Sequence, residues 1–425
     1  MKKLFSLLLA LALLLSLFAC SDEPPAPNDD TPNDDEGARV SVWDGTIASG
    51  FSLGNGSEAE PYKIQNAAEF AFLAKSVNEG ESYAGKYLTL STDIDLNNIE
   101  WTPIGNGVNN FSGNLDGTGH TVFNLKITEG VHYTGTLSGP ELKYYANGLF
   151  GTCLNPSIKN LCVDGATLAL TNTNGRNMIQ AGVLIGMLQA DSTTQISGIN
   201  VSNATVTSAL EENHSPVGSL DLGGVIGCVF ATGKSSVELS RLSVDVNVFT
   251  ENGGAHAFDV GGFVGYVRSD NWFEAKDCAL HLSLTLDPER CYGQNLSFAA
   301  FGVVSAMNEK LILKNIFSRV TVNKIHDVFH GYSAYTASTI VAEVGGMILG
   351  NGGFHFENLF GYVEQVDETT GERVIVTALY DISSYAGVST EKNCIGCETL
   401  PQNHGFNLAV WDVQDPSAPK LKTVK

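Results

Sequence analysis

The chain has 425 residues, with 46 Asp and Glu against 24 Lys and Arg, for a formal net charge of −22. That excess of acid argues against nucleic acid, anionic lipid or acidic polysaccharide as a main partner. With 45 Gly, 43% hydrophobic and only 16% charged residues, the composition is that of a folded, turn-rich β protein and not of a disordered one.

Residues 1–19 read as a secretory signal: Lys2 and Lys3 open it, and Leu4 to Phe18 is apolar apart from Ser6 and Ser16. Leu17-Phe18-Ala19-Cys20 resembles a lipobox, in which cleavage falls before a cysteine that carries lipid. A membrane-spanning helix needs about 20 apolar residues, and here the run stops at Cys20 and Ser21-Asp22-Glu23-Pro24-Pro25 follows at once. Several acyl chains on one residue anchor a protein stably. Cys20 is therefore the expected lipidation site and membrane contact, and export to the cell surface or outer membrane is the expected location. Residues 20–38, with seven acids from Asp22 to Glu36 and almost nothing apolar, form a lipidated acidic Pro/Asp-rich tether that cannot bury enough surface to order itself.

Within 39–110, the expected N-terminal cap and first coils, Asn66-Ala67-Ala68-Glu69 reads as a capping box. It opens a helix through Phe70, Phe72, Leu73 and Val77 that ends before Gly80, placed to plug one end of a repetitive fold. Asp93 and Asp95 lie two apart in an expected strand and so on one face, a candidate carboxylate pair or calcium seat. A structural role at the cap is the plainer reading of both. His120 in Gly-His-Thr is in the same position, tempting as a base but placed in a turn.

The span 111–366 is organised by an internal repeat. One pattern, apolar–polar–turn-former–apolar, recurs as Ile158-Lys159-Asn160-Leu161, Ile196-Ser197-Gly198-Ile199 and Leu239-Ser240-Arg241-Leu242. Three further copies end at Cys278, Ile316 and Leu359, and the last residues are spaced 38, 43, 36, 38 and 43 apart. A second, glycine-rich pattern interleaves with it, as in Gly182-Val183-Leu184-Ile185-Gly186, Gly223-Gly224-Val225-Ile226-Gly227 and Gly261-Gly262-Phe263-Val264-Gly265. After each copy of the first pattern the chain alternates: Leu242, Val244, Val246 and Val248 on one face, Ser243, Asp245 and Asn247 on the other. Such strands bury their apolar face by stacking coil on coil. The expected fold is all-β, a right-handed parallel β-helix (solenoid) with a short N-terminal capping helix. Two coils per repeat unit would give about twelve coils and a rod of roughly 60 Å. Residues 367–425 are expected to supply terminal coils and a C-terminal cap, with Phe406 to Leu421 and Trp411 capping or wrapping the last coils.

The run from Phe111 through Gly113, Leu115, Asp116, Gly117, Gly119 and His120 to Leu125, followed by Gly148-Leu149-Phe150-Gly151, resembles the GLUG-motif bacterial surface proteins. Trp43-Asp44-Gly45, Trp101-Thr102-Pro103-Ile104-Gly105 and Trp411 ahead of Pro419-Lys420-Leu421 agree with it. The resemblance implies β-helical repeats at a cell surface and names no activity. Some relatives attach these repeats to a zinc peptidase domain, but no His-Glu-x-x-His occurs in this chain.

Seven cysteines follow Cys20, an odd number at uneven spacing that does not read as a disulfide framework. Cys394-Ile395-Gly396-Cys397 stands apart as a candidate local disulfide; no second CxxC or paired His completes a zinc set. No Gly-x-Ser-x-Gly elbow or phosphate loop occurs, so no catalytic residue, metal or cofactor is implied. Tyr144, Tyr145, Trp272, Phe273, Tyr332 and Tyr335 are candidates for stacking on sugars or for packing within loops. The expected function is a monomeric, lipid-anchored binding rod that contacts a glycan or surface protein without catalysis. A carbohydrate-active β-helix enzyme and a structural stalk are the alternatives, and convergent acids from adjacent coils would mark the enzyme.

Overall fold

The computed structural model describes residues 40–128, 131–134, 143–172, 178–210, 219–252, 257–286, 293–306, 310–323, 332–337, 340–344, 353–366, 370–377, 379 and 389–422. Cys20, the signal, the tether and Cys291 lie outside the described residues. Within 40–422 the described chain is a two-sheeted parallel β-solenoid with one helix.

Register runs unbroken up the larger sheet. Leu88, Leu115, Ile158, Ile196, Leu239, Ala275, Leu313 and Phe356 are successive parallel partners. Leu161, Ile199, Leu242, Cys278, Ile316 and Leu359, the residues that close the first sequence pattern, form a second such column. Each residue of these columns lies one repeat unit beyond the last, so one unit makes one coil, with one strand in each sheet. The expectation of two coils per unit is corrected accordingly: the span 111–366 holds about half of the twelve coils, roughly 30 Å of rod at ~4.8 Å per rung. The two patterns are opposite sides of one turn. A period search reports the repeat length but not how many strands the chain folds it into.

The turn-former of the first pattern is an in-line kink. Asn160, Arg241, Asp277, Asn315 and Asn358 have φ between 52° and 54°, and Gly198 has φ 65°. One left-handed residue offsets the alternation, so that Ile158 and Leu161, three apart, both point inward. Asn and Asp enter this conformation at lower cost than other side chains because their polar group bonds locally. Here it bonds to the neighbouring rung: Asn315 Nδ2 donates to Asp277 Oδ1 (2.7 Å), Asn358 Nδ2 to Asn315 Oδ1 (2.7 Å) and Asn393 Nδ2 to Asn358 Oδ1 (2.8 Å). Asn160 Nδ2 donates in the same way to Asp116 Oδ1 at 3.0 Å.

The helix Ala67–Asn78 forms where the capping box places it. Asn66 Oδ1 accepts from Glu69 N at 2.9 Å, and the Glu69 carboxylate accepts from the Gln65 and Ser52 amides at 2.8 and 3.0 Å. Its buried side chains join the main core: Phe70 stacks on Trp101, ring centroids 5.4 Å apart, and Trp43 meets Trp101 edge-on.

The C-terminal segment takes the second of its two expected placements and wraps the last coils. Leu400, Phe406 and Trp411 pack on the outside of the larger sheet against Ala279, Phe317, Phe360 and Tyr362, in a core separate from the solenoid interior. The reason lies in one outward column. It runs Cys162, Asn200, Ser243 through the earlier rungs and then Ala279, Phe317, Phe360. The last three positions would expose apolar surface, so the chain folds back over them.

Candidate functional site

On the outer face of the smaller sheet lies a cleft of about 720 Å³. Its shape follows from the glycine pattern. At Gly223-Gly224 and Gly261-Gly262 the strand bends so sharply that a methyl group on Gly223 or Gly261 would run into the carbonyl of Ile226 or Val264. The bend divides each strand into two limbs. Side chains two and four residues before the first glycine form one wall of the cleft, and those beyond the bend form the other.

The first wall carries a polar column. Gln180, Asp221, Asp259 and Ser297 are Cα partners in consecutive rungs. Gln180, Asp221 and Asp259 are 2%, 3% and 4% exposed. They alternate with the core residues Ile179, Leu220, Leu222, Phe258 and Val260 and so point away from the interior. Burial pushes the Asp221 carboxyl up to about 7, against a hydrogen bond from Gln180 that favours the charged form. Gln180 Nε2 donates to Asp221 Oδ2 at 3.5 Å, while Gln180 Oε1 is buried with no hydrogen-bond partner. Ser219 Oγ, on the same wall, is likewise buried and unpartnered.

The facing wall is apolar and aromatic, with Met187, Cys228, Phe230 and Tyr266. Burial raises the Cys228 thiol well above its ordinary value, with the Asp221 and Asp259 charges acting in the same direction, so it stays protonated. Arg268 is the one cation among the described lining residues, and its guanidinium sits over the Phe230 ring, 4.9 Å from the centroid. Chemically the cleft offers buried acceptors on one side and ring faces on the other.

The candidates read from the sequence lie elsewhere. Asp93 and Asp95 do not act as a pair. Asp93 Oδ1 accepts from Thr121 N (2.9 Å) and meets His120 Nδ1 (3.0 Å), whereas Asp95 Oδ1 accepts from Asn97 N (2.7 Å) and Asn124 Nδ2 (2.8 Å). Each carboxylate ties one rung to the next, the structural role, and His120 shares it. Among the described residues no group of three or more His, Cys, Asp or Glu is arranged to hold a metal ion. Cys394 and Cys397 are both free thiols in place of the candidate disulfide. Phe273 is core, Trp272 and Tyr145 are half-buried, and Tyr144 lines the cleft. The side chains of Tyr332 and Tyr335 lie outside the described residues.

Sequence reasoning missed Asp221 and Asp259, yet a signal existed. Aligning the glycine pattern puts Gln180, Asp221 and Asp259 two residues before its first glycine, each between two apolar residues. The pattern gives the column these three residues share, while alternation alone does not separate it from an ordinary outer face such as Ser243, Asp245 and Asn247.

Fold and cleft together define a two-sheeted β-solenoid with one bent, ligand-sized face. No protein-family model matches the sequence. Over 209 residues, 45% of this chain, it is 28% identical to Halomucin of Haloquadratum walsbyi, a match that spans only 2% of that protein's length. A crystal structure from Bacteroides ovatus, provisionally assigned as an immunoglobulin A1 protease, aligns over 88% of this chain and 96% of its own. The TM-score is 0.40 and the identity 13%, a likeness that carries no functional argument.

Proposed function

We propose that the protein is a lipid-anchored surface solenoid that binds a carbohydrate in the cleft of its smaller sheet. The observation that carries this reading is the cleft itself, about 720 Å³ of bent sheet surface lined by Phe230 and Tyr266 on one wall, with a buried polar column and Tyr144 on the other. Sites for small ligands are concave and largely apolar, with a few converging polar groups. A sugar ring presents one apolar face to an aromatic side chain and hydroxyls to its edge, which fits these two walls. The lipobox at Cys20 and the acidic spacer behind it support display at the membrane, with lipid, tether and rod in that order.

Glycan-array binding by the purified protein tests the cleft, with Tyr266→Ala expected to weaken binding about tenfold, on the order of one stacking contact. Membrane fractionation of Cys20→Ala tests the anchor, and the variant is expected to leave the membrane fraction. A protein that binds no glycan, or a variant that stays on the membrane, would sink the corresponding half of the reading.

One observation favours a second reading. Asp221 and Asp259 come from adjacent coils and share a cleft, the arrangement expected of a carbohydrate-active enzyme. Turnover of a bound glycan that is lost in Asp259→Asn would establish catalysis. Binding without turnover leaves the first reading in place.

A further inference from the structure

The outer column of the aromatic wall is polar on either side of its ring and reachable from solvent. Gln189, Phe230 and Arg268 are Cα partners in consecutive rungs, ~4.8 Å apart, and each is half-buried. They alternate with the interior residues Leu188, Val229 and Val267 and so point outward, as Met187, Cys228 and Tyr266 do two residues earlier. That step of two residues puts them about 7 Å farther from the bend. Among the described residues no hydrogen bond or ion pair reaches the side chain of Gln189 or Arg268. The Phe230 ring attracts the Arg268 charge but leaves the five N–H donors of the guanidinium open. The acids of the cleft do not fill that role. Asp191 accepts from Asn155 Nδ2 at 2.6 Å. Asp221 and Asp259 are 3% and 4% exposed on the opposite wall, and burial keeps a proton on Asp221 up to about pH 7.

We infer that the cleft selects a ligand bearing a single oxyanion that pairs with Arg268, and, resting on the carbohydrate reading above, that this ligand is a short acidic sugar carrying a carboxylate or a sulfate ester. The planar fork of a guanidinium matches two oxygens of such a group at once. The Gln189 amide, two rungs away along the same column, offers both a donor and an acceptor to hydroxyls of the same sugar. One cation balances one charge. A phosphate monoester, with a charge of about −1.5 to −2 near neutrality, leaves an excess for the acids of the cleft to repel. The net charge of −22 disfavours a long polyanion. Distant charges are screened beyond about 8 Å at physiological salt, so a short ligand with one charge answers to Arg268.

Calorimetry on the full chain tests this at about pH 6, where Asp221 keeps its proton. The probes are a trisaccharide ending in glucuronic acid, the same trisaccharide ending in glucose, the latter with one sulfate ester, and benzoate. At least one of the two acidic sugars is expected to bind about tenfold tighter than the neutral one, and the tighter of the two identifies the oxyanion. Arg268→Gln is expected to abolish that preference while neutral-sugar binding persists. Equal binding of all three sugars overturns the oxyanion inference and leaves the carbohydrate reading standing. Binding of benzoate but of no sugar supports the oxyanion inference and removes the carbohydrate reading. Binding of none of the four overturns both. A preference that survives in folded Arg268→Gln overturns the assignment to Arg268. Because the comparison among ligands uses the unaltered protein, it decides the oxyanion question even if that variant fails to fold.

Discussion

Asp221 shows how a single buried carboxyl couples this fold to pH. Its pKa is raised from 3.8 to about 7 by desolvation, so the folded chain keeps a proton that the unfolded chain has released. Where the native state binds more protons than the unfolded one, stability falls as pH rises. This contribution is absent below about pH 4, grows between pH 4 and 7, and stays constant above. Its full size is on the order of 4 kcal/mol as an upper bound. Asp221→Asn is therefore expected to raise the denaturation midpoint at pH 8 while leaving it nearly unchanged at pH 4. Chemical denaturation at the two pH values checks this, and an equal change at both would contradict it. The Asn315 column is the opposite case, a partly buried polar line whose members satisfy one another from Asp277 to Asn393. The contrast is plain: the members of the Asn315 column bond to one another, whereas the column at Gln180 leaves one buried acceptor, Gln180 Oε1, without a partner.

At the scale of the element, the bend in the smaller sheet decides whether a cleft exists. A side chain on Gly261 would meet the Val264 carbonyl, while one on Gly50 would meet nothing within 4 Å. Gly261→Ala is expected to cost about 1–3 kcal/mol, the usual range for overpacking, and to weaken ligand binding by splaying the two limbs. Gly50→Ala serves as the control and should remain within about 0.5 kcal/mol of the parent. Matching denaturant midpoints for the two variants would contradict the account. The repeat length and the inward-facing residues were legible in the sequence, because Leu242, Val244, Val246 and Val248 alternate without a break. How many coils those residues make was not. Alternation records which face is buried, and both limbs of one turn bury a face in the same way.

For the whole molecule, the C-terminal strap is a second layer with its own core. Trp411 is 1% exposed and meets Phe406 edge-on at 5.1 Å, over the column Ala279, Phe317 and Phe360. Removing a buried Trp costs about 3–5 kcal/mol, but this Trp lies outside the interior that holds the coils together. Trp411→Ala is expected to release the strap locally, with faster hydrogen exchange over 395–422 and unchanged protection in the strands from 236 to 323. Exchange that quickens equally in those strands would show that strap and solenoid unfold together. The apolar residues on an outward column were visible in the sequence as a break in the alternation at Ala279, Phe317 and Phe360. What covers them was visible only in the fold.

By itself the sequence determined the all-β repeat, the helix at Ala67–Asn78 and the residues that stack in register, because each depends on local chemistry: side-chain period, a cap, and a left-handed turn residue. The tertiary structure alone decided the rest. Asp93 and Asp95, neighbours in the chain, are separated by the different partners that bind them. Asp221 and Asp259, 38 residues apart, are brought side by side because one repeat makes one coil. Their burial, and hence their proton, comes from a bend that glycine permits and from a facing wall supplied by the other limb of the same strands.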